Sequence, residues 1–242
     1  MTLKELWIKN DIENDTDIEI LETNNPDQKA YYVLADNYER DYWNKVTDKN
    51  LESRVLMDSK VQQIIDKNML TSFLNQHIDE NSLMVLNYIA FIYETEEEES
   101  EIRENLENIY YDEYAREVGS DTLGMTWVER QVVIINVSNI LETSIDISED
   151  TDEYHSAEEI FIQGLCSTIF HECRHLLYEC NELIDIGDNT EYPANGGLED
   201  EVEEYGNEKM EQYINEFTKM INQHELSQMI KDFEYDDFAK DL

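Results

Sequence analysis

The hydrophobic pattern of this chain is mostly helical. Apolar residues recur at helical intervals, and the 242 residues include only seven glycines and two prolines, the residues that most readily interrupt helices. The segments with this pattern are residues 28–47, 51–78, 156–180, 198–223 and 225–239. The acidic stretch 95–119 also predicts a helix, because glutamates near a helix N-terminus suit the helix dipole.

A few segments depart from the helical pattern. Residues 130–141, RQVVIINVSNIL, are rich in Val and Ile and form the clearest predicted strand. Residues 17–22 alternate between apolar and polar positions and predict a short strand. The apolar run at 82–94 fits either a buried helix or a strand. The sequence therefore predicts an α+β fold that is mainly helical.

The best internal break is GSDTLG, residues 119–124. It divides the chain into an acidic, mainly helical region of unknown role, 1–118, and a second domain, 119–242. Within the second domain, the acidic loop 146–154 leads to the helix at 156–180. The loop that follows this helix ends in two glycines, and the long helix at 198–223 begins after it.

The chain is strongly acidic. Its 58 acidic residues against 17 basic ones give a net charge of −41. Such a surface repels phosphate backbones and anionic lipids, which argues against direct binding of nucleic acid or membranes. It attracts basic partners, and it can also imitate a nucleic acid and occupy the basic groove of another protein. A solvated surface that only keeps the protein in solution, or adaptation to high salt, would also account for the charge.

The sequence points to a cytoplasmic protein. The N-terminal residues contain no apolar run typical of a signal peptide, and no stretch is long and apolar enough for a transmembrane helix. The cysteines Cys166, Cys173 and Cys180 are seven residues apart, too far apart on one helix for a disulfide. Three unpaired cysteines are typical of a reducing compartment.

Residues 171–175 read HECRH and carry the strongest chemical signal. His171 and His175 are one helical turn apart, so both imidazoles leave the same face and supply two corners of a tetrahedral zinc site. Glu172 stands beside that face, where it can reach a metal-bound water without being a ligand. The motif therefore predicts a zinc centre with Glu172 as the general base.

Two core or surface histidines on an ordinary helix would give the same spacing. Apolar residues on both sides of the pair favour the zinc interpretation, because buried histidines and a buried glutamate need partners. The three cysteines lie on the opposite face and are interpreted as core residues, not as ligands. Arg174, between the histidines, must face solvent or pair with an acid.

Two glutamates on the helix at 198–223 point toward its apolar stripe. That stripe contains Gly206, Met210, Ile214, Phe217 and Ile221. At about 100° per residue, Glu199 and Glu203 lie roughly 20° from the stripe, one on each side. Glu201 and Glu204 point toward solvent. Glu199 is in the first turn, where free backbone N–H groups stabilise its charge, whereas Glu203 is one turn deeper and has more need of a cation.

The pair HECRH and EEYGN, 203–207, resembles the gluzincin metallopeptidases, in which a glutamate ligand follows HExxH on a second helix. The resemblance covers roughly residues 124–224. It implies that Glu203 is the third zinc ligand and that Asn207 steadies a ligand histidine. The register could also slide by four residues, which would make Glu199 the ligand. The strand at 130–141 is similar to the active-site edge strand of this clan, and the G-x-T run at 124–126 resembles minimal SprT-like and phage-encoded metallopeptidases.

The resemblance implies a zincin-like core with a short sheet, an active-site helix and a glutamate-ligand helix. Zn²⁺ held by His171, His175 and Glu203 would polarise a peptide carbonyl and lower the pKa of its bound water. Glu172 would take the proton from that water and pass it to the leaving amine. An extended substrate, basic because the enzyme is acidic, would pair with the strand at 131–138.

The alternative function is a binding protein without catalysis. An acidic inhibitor of the anti-restriction or anti-defence type could use its charge to mimic nucleic acid and keep a zincin fold as a scaffold. The presence of both histidines, the glutamate between them and an inward glutamate argues against a decayed enzyme.

Four further residues are weaker candidates. His155 could stabilise an oxyanion, and Tyr192 or Tyr205 could donate a hydrogen bond to the transition state, although surface or packing roles are the simpler interpretation for each. His77 and His224 are expected to be structural.

Overall fold

The computed structural model of the protein describes residues 51–95, 100–103, 106, 122–150, 155–183 and 197–240. The predictions for 17–22 and 28–47, and most of that for 95–119, lie outside these residues. Within them, the protein is a mainly helical α+β fold with a small mixed sheet. This confirms the predicted fold class at that level.

Four short strands form one sheet in the order β1-β2-β4-β3. They are β1 (Val55–Met57), β2 (Tyr88–Ile92), β3 (Gly124–Trp127) and β4 (Val132–Asn136). β1 and β4 both run parallel to β2, whereas β3 lies antiparallel to β4 at one edge. The five residues of β4 are all buried, which explains the continuous apolar run that predicted it.

The predicted strand at 130–141 is therefore only half correct. The strand ends at Asn136, and a helix begins at Val137, because the Asn136 side chain accepts hydrogen bonds from the Ser138 hydroxyl (2.7 Å) and the Asn139 amide (3.3 Å). The interpretation of this strand as an edge strand is wrong, since β4 lies between β2 and β3. The edge strand on this side of the sheet is β3, whose four residues were not predicted to form a strand.

Helices surround the sheet and the long central helix. They are α1 (Val61–Ile64), α2 (Lys67–His77), α3 (Glu80–Val85), α4 (Val137–Asp150), α5 (Ala157–Leu183), α6 (Leu198–Phe217) and α7 (Gln223–Lys240). Short 3₁₀ turns occur at Leu51–Ser53, Val128–Arg130 and Thr218–Met220. The predictions of α5, α6 and α7 are confirmed to within a few residues, apart from the 3₁₀ turn that ends α6 early.

Two predicted segments differ from the structure. Residues 51–78 are not one helical stretch, because β1 precedes two helices that Ile65 separates by an isolated bridge to Ile221. The ambiguous run at 82–94 contains both a helix end and a strand, α3 and β2. The expected acidic loop after β4 is helical as far as Asp150, the last residue of α4.

The core lies on both faces of the sheet. The larger apolar cluster combines one sheet face with residues from all seven helices, and α5 runs through it. The smaller cluster is on the other face and contains Ala90, Ile92, Leu106, Trp127, Val132 and Ile134. Since β1 and β2 come from residues 51–95 and β3 and β4 from 122–136, the sheet crosses the boundary predicted at 118/119.

Among the described residues, every helix is too short or too polar to cross a lipid bilayer.

Candidate metal centre

α5 brings the two motif histidines together. The Nε2 atoms of His171 and His175 are 3.1 Å apart, and their ring centroids are 4.7 Å apart. The His171 side chain is 24% exposed and that of His175 only 11%, so the pair lies at the floor of a cleft and does not project into solvent. The predicted helix and its histidine face are therefore present.

α6 supplies a carboxylate to this pair. Glu199 Oε2 lies 3.8 Å from His171 Nε2, and Glu199 Oε1 lies 3.4 Å from His175 Nε2. The three residues each offer one ligand atom, and these atoms lie within 4.8 Å of one another, a group that could hold a metal ion. This is the register in which Glu199, not Glu203, completes the set.

Glu203 is near the histidines but outside that group. It lines the same cleft and raises the pKa of His171 through its charge. Its role as the third ligand stays a prediction. The burial argument that favoured Glu203 is wrong, because Glu199 and Glu203 are both exposed: the groove between α5 and α6 is open to solvent on this side.

The two histidines are in an environment that suits a bound cation. Burial lowers the pKa of His171, and His175 lowers it further, while Glu199 and Glu203 act in the opposite direction. The His171 ring is thus disposed to be neutral, which metal ligation requires. The buried Nδ1 of His175 has no hydrogen-bond partner, and the carboxylate oxygen Glu179 Oε1 is 4.0 Å away from it. A histidine ligand donates from this second nitrogen to a carboxylate, so Glu179 is placed for that role.

Glu172 is fixed from the side of β3. Its side chain is buried, and its Oε2 accepts from the Thr126 hydroxyl at 2.9 Å, while Oε1 faces His171 Nε2 at 4.0 Å. A Cβ atom on Gly124 would lie 2.7 Å from Glu172 Cγ, so only glycine leaves room for this side chain. β3 therefore holds one oxygen of Glu172 and leaves the other toward the histidines.

Burial sets the acidity of Glu172. It raises the pKa of this carboxyl to about 7, with the Thr126 hydrogen bond opposing the shift and the charges of Glu199 and Glu179 adding to it. A carboxyl with a pKa near neutral both accepts and returns a proton at physiological pH, as a general base that becomes a general acid must do.

The histidines lie in an open cleft of about 740 Å³. Its lining includes Gly124 and Thr126 from β3, residues from Ile160 to Glu179 along α5, and Glu199, Glu203, Asn207 and Met210 from α6. Among the lining residues that the structure describes, none is a lysine or arginine. The cleft therefore has the same charge sign as the rest of the molecule.

A glycine sets the approach of α6 to α5. A Cβ on Gly206 would lie 2.8 Å from the Ser167 carbonyl oxygen and 3.3 Å from His171 Cβ, so the two helices touch backbone to backbone there. The Ser167 hydroxyl donates to Asn207 Oδ1 at 3.1 Å. Asn207 was expected to hydrogen-bond a ligand histidine, but the bond that the structure gives is to Ser167, one turn before His171.

Arg174 is paired with an acid on the far flank of α6. Its Nη2 lies 3.3 Å from Glu201 Oε1, and the Tyr178 hydroxyl donates to the same oxygen. The guanidinium also stacks on the rings of Tyr178 and Tyr205, at 4.6 and 4.8 Å from their centroids. The expectation that Glu201 points to solvent is wrong, since Arg174 reaches across and covers it; Glu204 is exposed, as predicted.

The remaining candidates have ordinary roles or lie elsewhere. His155 is exposed and 3.6 Å from Glu159, and His224 is exposed. His77 lies 3.1 Å from Glu216 Oε2 and stacks on Tyr213, which ties α2 to α6. Tyr205 packs against Arg174 outside the cleft lining, and Tyr192 is outside the described residues.

The cysteines are core residues, as expected. Cys166, Cys173 and Cys180 are all buried and form no disulfide with one another, and burial raises the pKa of Cys166 to about 12. None of them belongs to the candidate ligand group. The face of α5 opposite the histidines is therefore apolar along its length.

Three residues near the site have roles that were not predicted from the sequence. Gly124 and Thr126 entered only as part of a resemblance, and Glu201 was expected to point to solvent. No local signal marks β3 as a neighbour of Glu172, because the contact spans 46 residues of sequence. The partner of Arg174 had a weak signal, since a buried cation requires an acid nearby.

Comparison with known proteins adds nothing to this geometry, because no protein-family model, curated protein or solved structure matches the chain.

Proposed function

We propose that this protein is a zinc-dependent peptidase in which His171, His175 and a glutamate of α6 hold the ion. The observation that carries the proposal is the meeting of three ligand atoms, from His171, His175 and Glu199, beside the buried Glu172 in an open cleft. Two imidazoles and one carboxylate are a common ligand set of catalytic zinc, and they leave a coordination position open.

When bound, the ion would act as a Lewis acid on a substrate carbonyl and lower the pKa of water. The rest of the chemistry belongs to Glu172. Its Oε1, on the side of the histidines, would take a proton from the attacking water, and the hydrogen bond from Thr126 keeps Oε2 in place meanwhile. The same oxygen would then return the proton to the leaving amine.

The proposed fold is a zincin-like core, with α5 as the active-site helix and α6 as the ligand helix. β3 borders the cleft at the open edge of the described sheet, so an extended peptide would pair with β3 and not with β4. The net charge of −41 and the lack of lysine or arginine among the described cleft residues support basic peptides or proteins as substrates.

The first test is metal content. Protein purified without chelator or added metal is expected to contain about one zinc per chain by elemental analysis. His175→Ala should lose the metal, whereas His224→Ala, at an exposed histidine on α7, should keep it. Wild-type protein without a transition metal would contradict the proposal at its root.

The second test separates the ligands from the base. Glu172→Gln should keep the zinc and lose about 10²–10⁴-fold in cleavage of an unfolded basic protein, since Gln cannot accept the proton. Glu142→Gln, at an exposed acid on α4, should cleave normally. Full activity of the Glu172→Gln protein would show that another group is the base.

The charge of −41 also favours a second function, that of an acidic protein that binds a basic partner and mimics nucleic acid. Glu172→Gln distinguishes the two. It should leave the binding of a basic nucleic-acid-binding protein, measured across a salt series, unchanged, because long-range charge attraction does not depend on one buried carboxyl.

A further inference from the structure

Side chains of α5 bind the flank of α6 that faces away from the cleft. The Arg174 guanidinium lies against the rings of Tyr178 and Tyr205 and pairs with the Glu201 carboxylate. These four residues are named the clamp. Next to it, Leu198 and Val202 of α6 pack on the buried Tyr178 ring. Both contacts lie in the first two turns of α6, the turns that carry Glu199 and Glu203.

The rotation of α6 decides which carboxylates face the histidines. Residues of one helix are about 100° apart, so a rotation of this size would replace the residue at any given position around the axis with its neighbour in sequence. Gly206 fixes the distance between α5 and α6 through its contact with Ser167, but a residue without a side chain gives little hold against rotation. Glu201, by contrast, is bonded to two side chains of α5 at once. The clamp therefore resists rotation at this end of α6, together with Leu198 and Val202 packed on the Tyr178 ring.

The clamp also keeps the positive charge of Arg174 away from the proposed ligands. Arg174 precedes His175 directly, and its side chain is only 16% exposed. A guanidinium without an acid partner would be drawn to the nearest carboxylates, and an arginine bonded to Glu199 would compete with a metal for that ligand. Glu201 takes this guanidinium on the opposite flank of α6 and leaves Glu199 and Glu203 to the histidines.

We infer that Arg174, Tyr178 and Glu201 are positioning residues of the metal centre: they hold α6 so that its glutamates face His171 and His175. The inference rests on the proposed metal site and adds the residues that keep its ligands in position. The contacts described above join the three residues to one another and to Tyr205, so their effect on the ligands would pass through the position of α6.

The experiment measures metal binding and not turnover. Metal-free full-length protein is titrated with Zn²⁺ by calorimetry, and the absorption spectrum of the Co²⁺ form reports ligand geometry. Arg174→Met and Glu201→Gln should each weaken Zn²⁺ binding by about 10–100-fold, the usual cost of losing a residue that orients a ligand. The Arg174→Met/Glu201→Gln protein should lose no more than the worse single variant, because both break the same contact.

Ile134→Ala is the matched control. Ile134 is buried in the smaller cluster, on the sheet face away from α5, so its truncation lowers the melting temperature without touching the clamp. It should bind Zn²⁺ normally and give an unchanged Co²⁺ spectrum. Tyr178→Phe keeps the ring and removes only the hydroxyl, so it tests the clamp, toward the lower end of the expected range, even if Arg174→Met does not fold.

The outcomes separate this inference from the proposed function. Wild-type protein that binds no zinc overturns both. Wild-type protein that binds zinc, together with clamp variants of unchanged affinity and unchanged Co²⁺ spectrum, overturns the clamp alone. Reduced affinity in Ile134→Ala equal to that in the clamp variants would also overturn it, since general destabilisation would then explain the loss.

Discussion

The two walls of the cleft are built differently. On the wall of β3 and α5, Glu172 is 7% exposed, holds a hydrogen bond to Thr126 and has no free space beside Gly124. On the wall of α6, the Glu199 side chain is 73% exposed and Glu203 is exposed as well. The proposed base is therefore fixed by packing, whereas the proposed third ligand is placed by helix rotation and charge.

This difference tells where a metal ion changes the protein. A buried side chain in close-packed surroundings has one arrangement, with or without a ligand. An exposed carboxylate has many rotamers, and confining it costs conformational entropy that metal binding must offset. We therefore expect the α6 wall to order when metal binds and the β3 wall to stay as it is.

The largest effect is expected from the third ligand. Glu199→Ala should weaken Zn²⁺ binding by more than the roughly 100-fold that marks the loss of an orienting residue, because it removes a ligand atom. Glu203→Ala should lose at most about 100-fold. Calorimetric titration of both variants decides the register, and the reverse order would make Glu203 the ligand and Glu199 its support.

The β3 wall is tested with a single methyl group. Gly124→Ala would place a Cβ 2.7 Å from Glu172 Cγ and force the base to move, which should reduce peptidase activity by about 10²-fold while zinc affinity stays normal. Gly164→Ala is the matched control in the same cleft, because its Cβ would meet Ile140 Cγ2 at an ordinary 3.5 Å. Equal activities of the two variants would show that β3 and Glu172 can shift to accept the methyl group without moving the base out of position.

The smallest effect is one of pH on the metal-free protein. Burial raises the pKa of Glu172 to about 7, above the 4.5 of an unperturbed glutamate, so the folded state holds its proton longer than the unfolded state does. The stability that this provides is complete below about pH 4.5 and is lost as the pH rises through 7. Gln does not titrate, so the stability of Glu172→Gln relative to wild type should increase from pH 5 to pH 8.

Urea unfolding at the two pH values, with a chelator present, measures that difference. Glu142→Gln, at an exposed position, is the reference variant. The same difference between Glu172→Gln and wild type at both pH values would contradict the raised pKa. Because the lowered pKa of His171 changes the stability with pH in the opposite sense, the comparison has to be between variants and not between pH values of the wild type.

The α5 wall could be predicted from sequence because its information is local. The spacing of His171 and His175, the glutamate between them and the cysteines on the opposite face all follow from one helix with a regular period. The partners of that helix could not be predicted as well. β3 is four residues long, and its contact with Glu172 depends on the sheet, so no periodic signal within the segment marks it.

The choice between Glu199 and Glu203 as third ligand could not be made from the sequence, for a different reason. On a helical wheel Glu199 and Glu203 lie about 20° from the apolar stripe, one on each side, so the wheel does not separate these two residues of one face. Glu203 was then preferred because it was expected to be the more buried of the two, and both glutamates are exposed in the structure. The helical wheel also placed Glu201 toward solvent, because a wheel takes no account of the neighbouring helix, from which a long arginine side chain reaches Glu201.

The order of the strands has a consequence for folding. β2 pairs with β1 before it in the chain and with β4 well after it, so Ile89 lies between Val55 and Val133 in the sheet. Parallel pairings between such distant segments give a high contact order, which slows folding. During synthesis, β2 keeps one unpaired edge until β4 has left the ribosome, and α5 follows later still. The histidines therefore follow the last strand of the sheet out of the ribosome, and a chain cut near residue 118 would separate β1 and β2 from β3 and β4 of the same sheet.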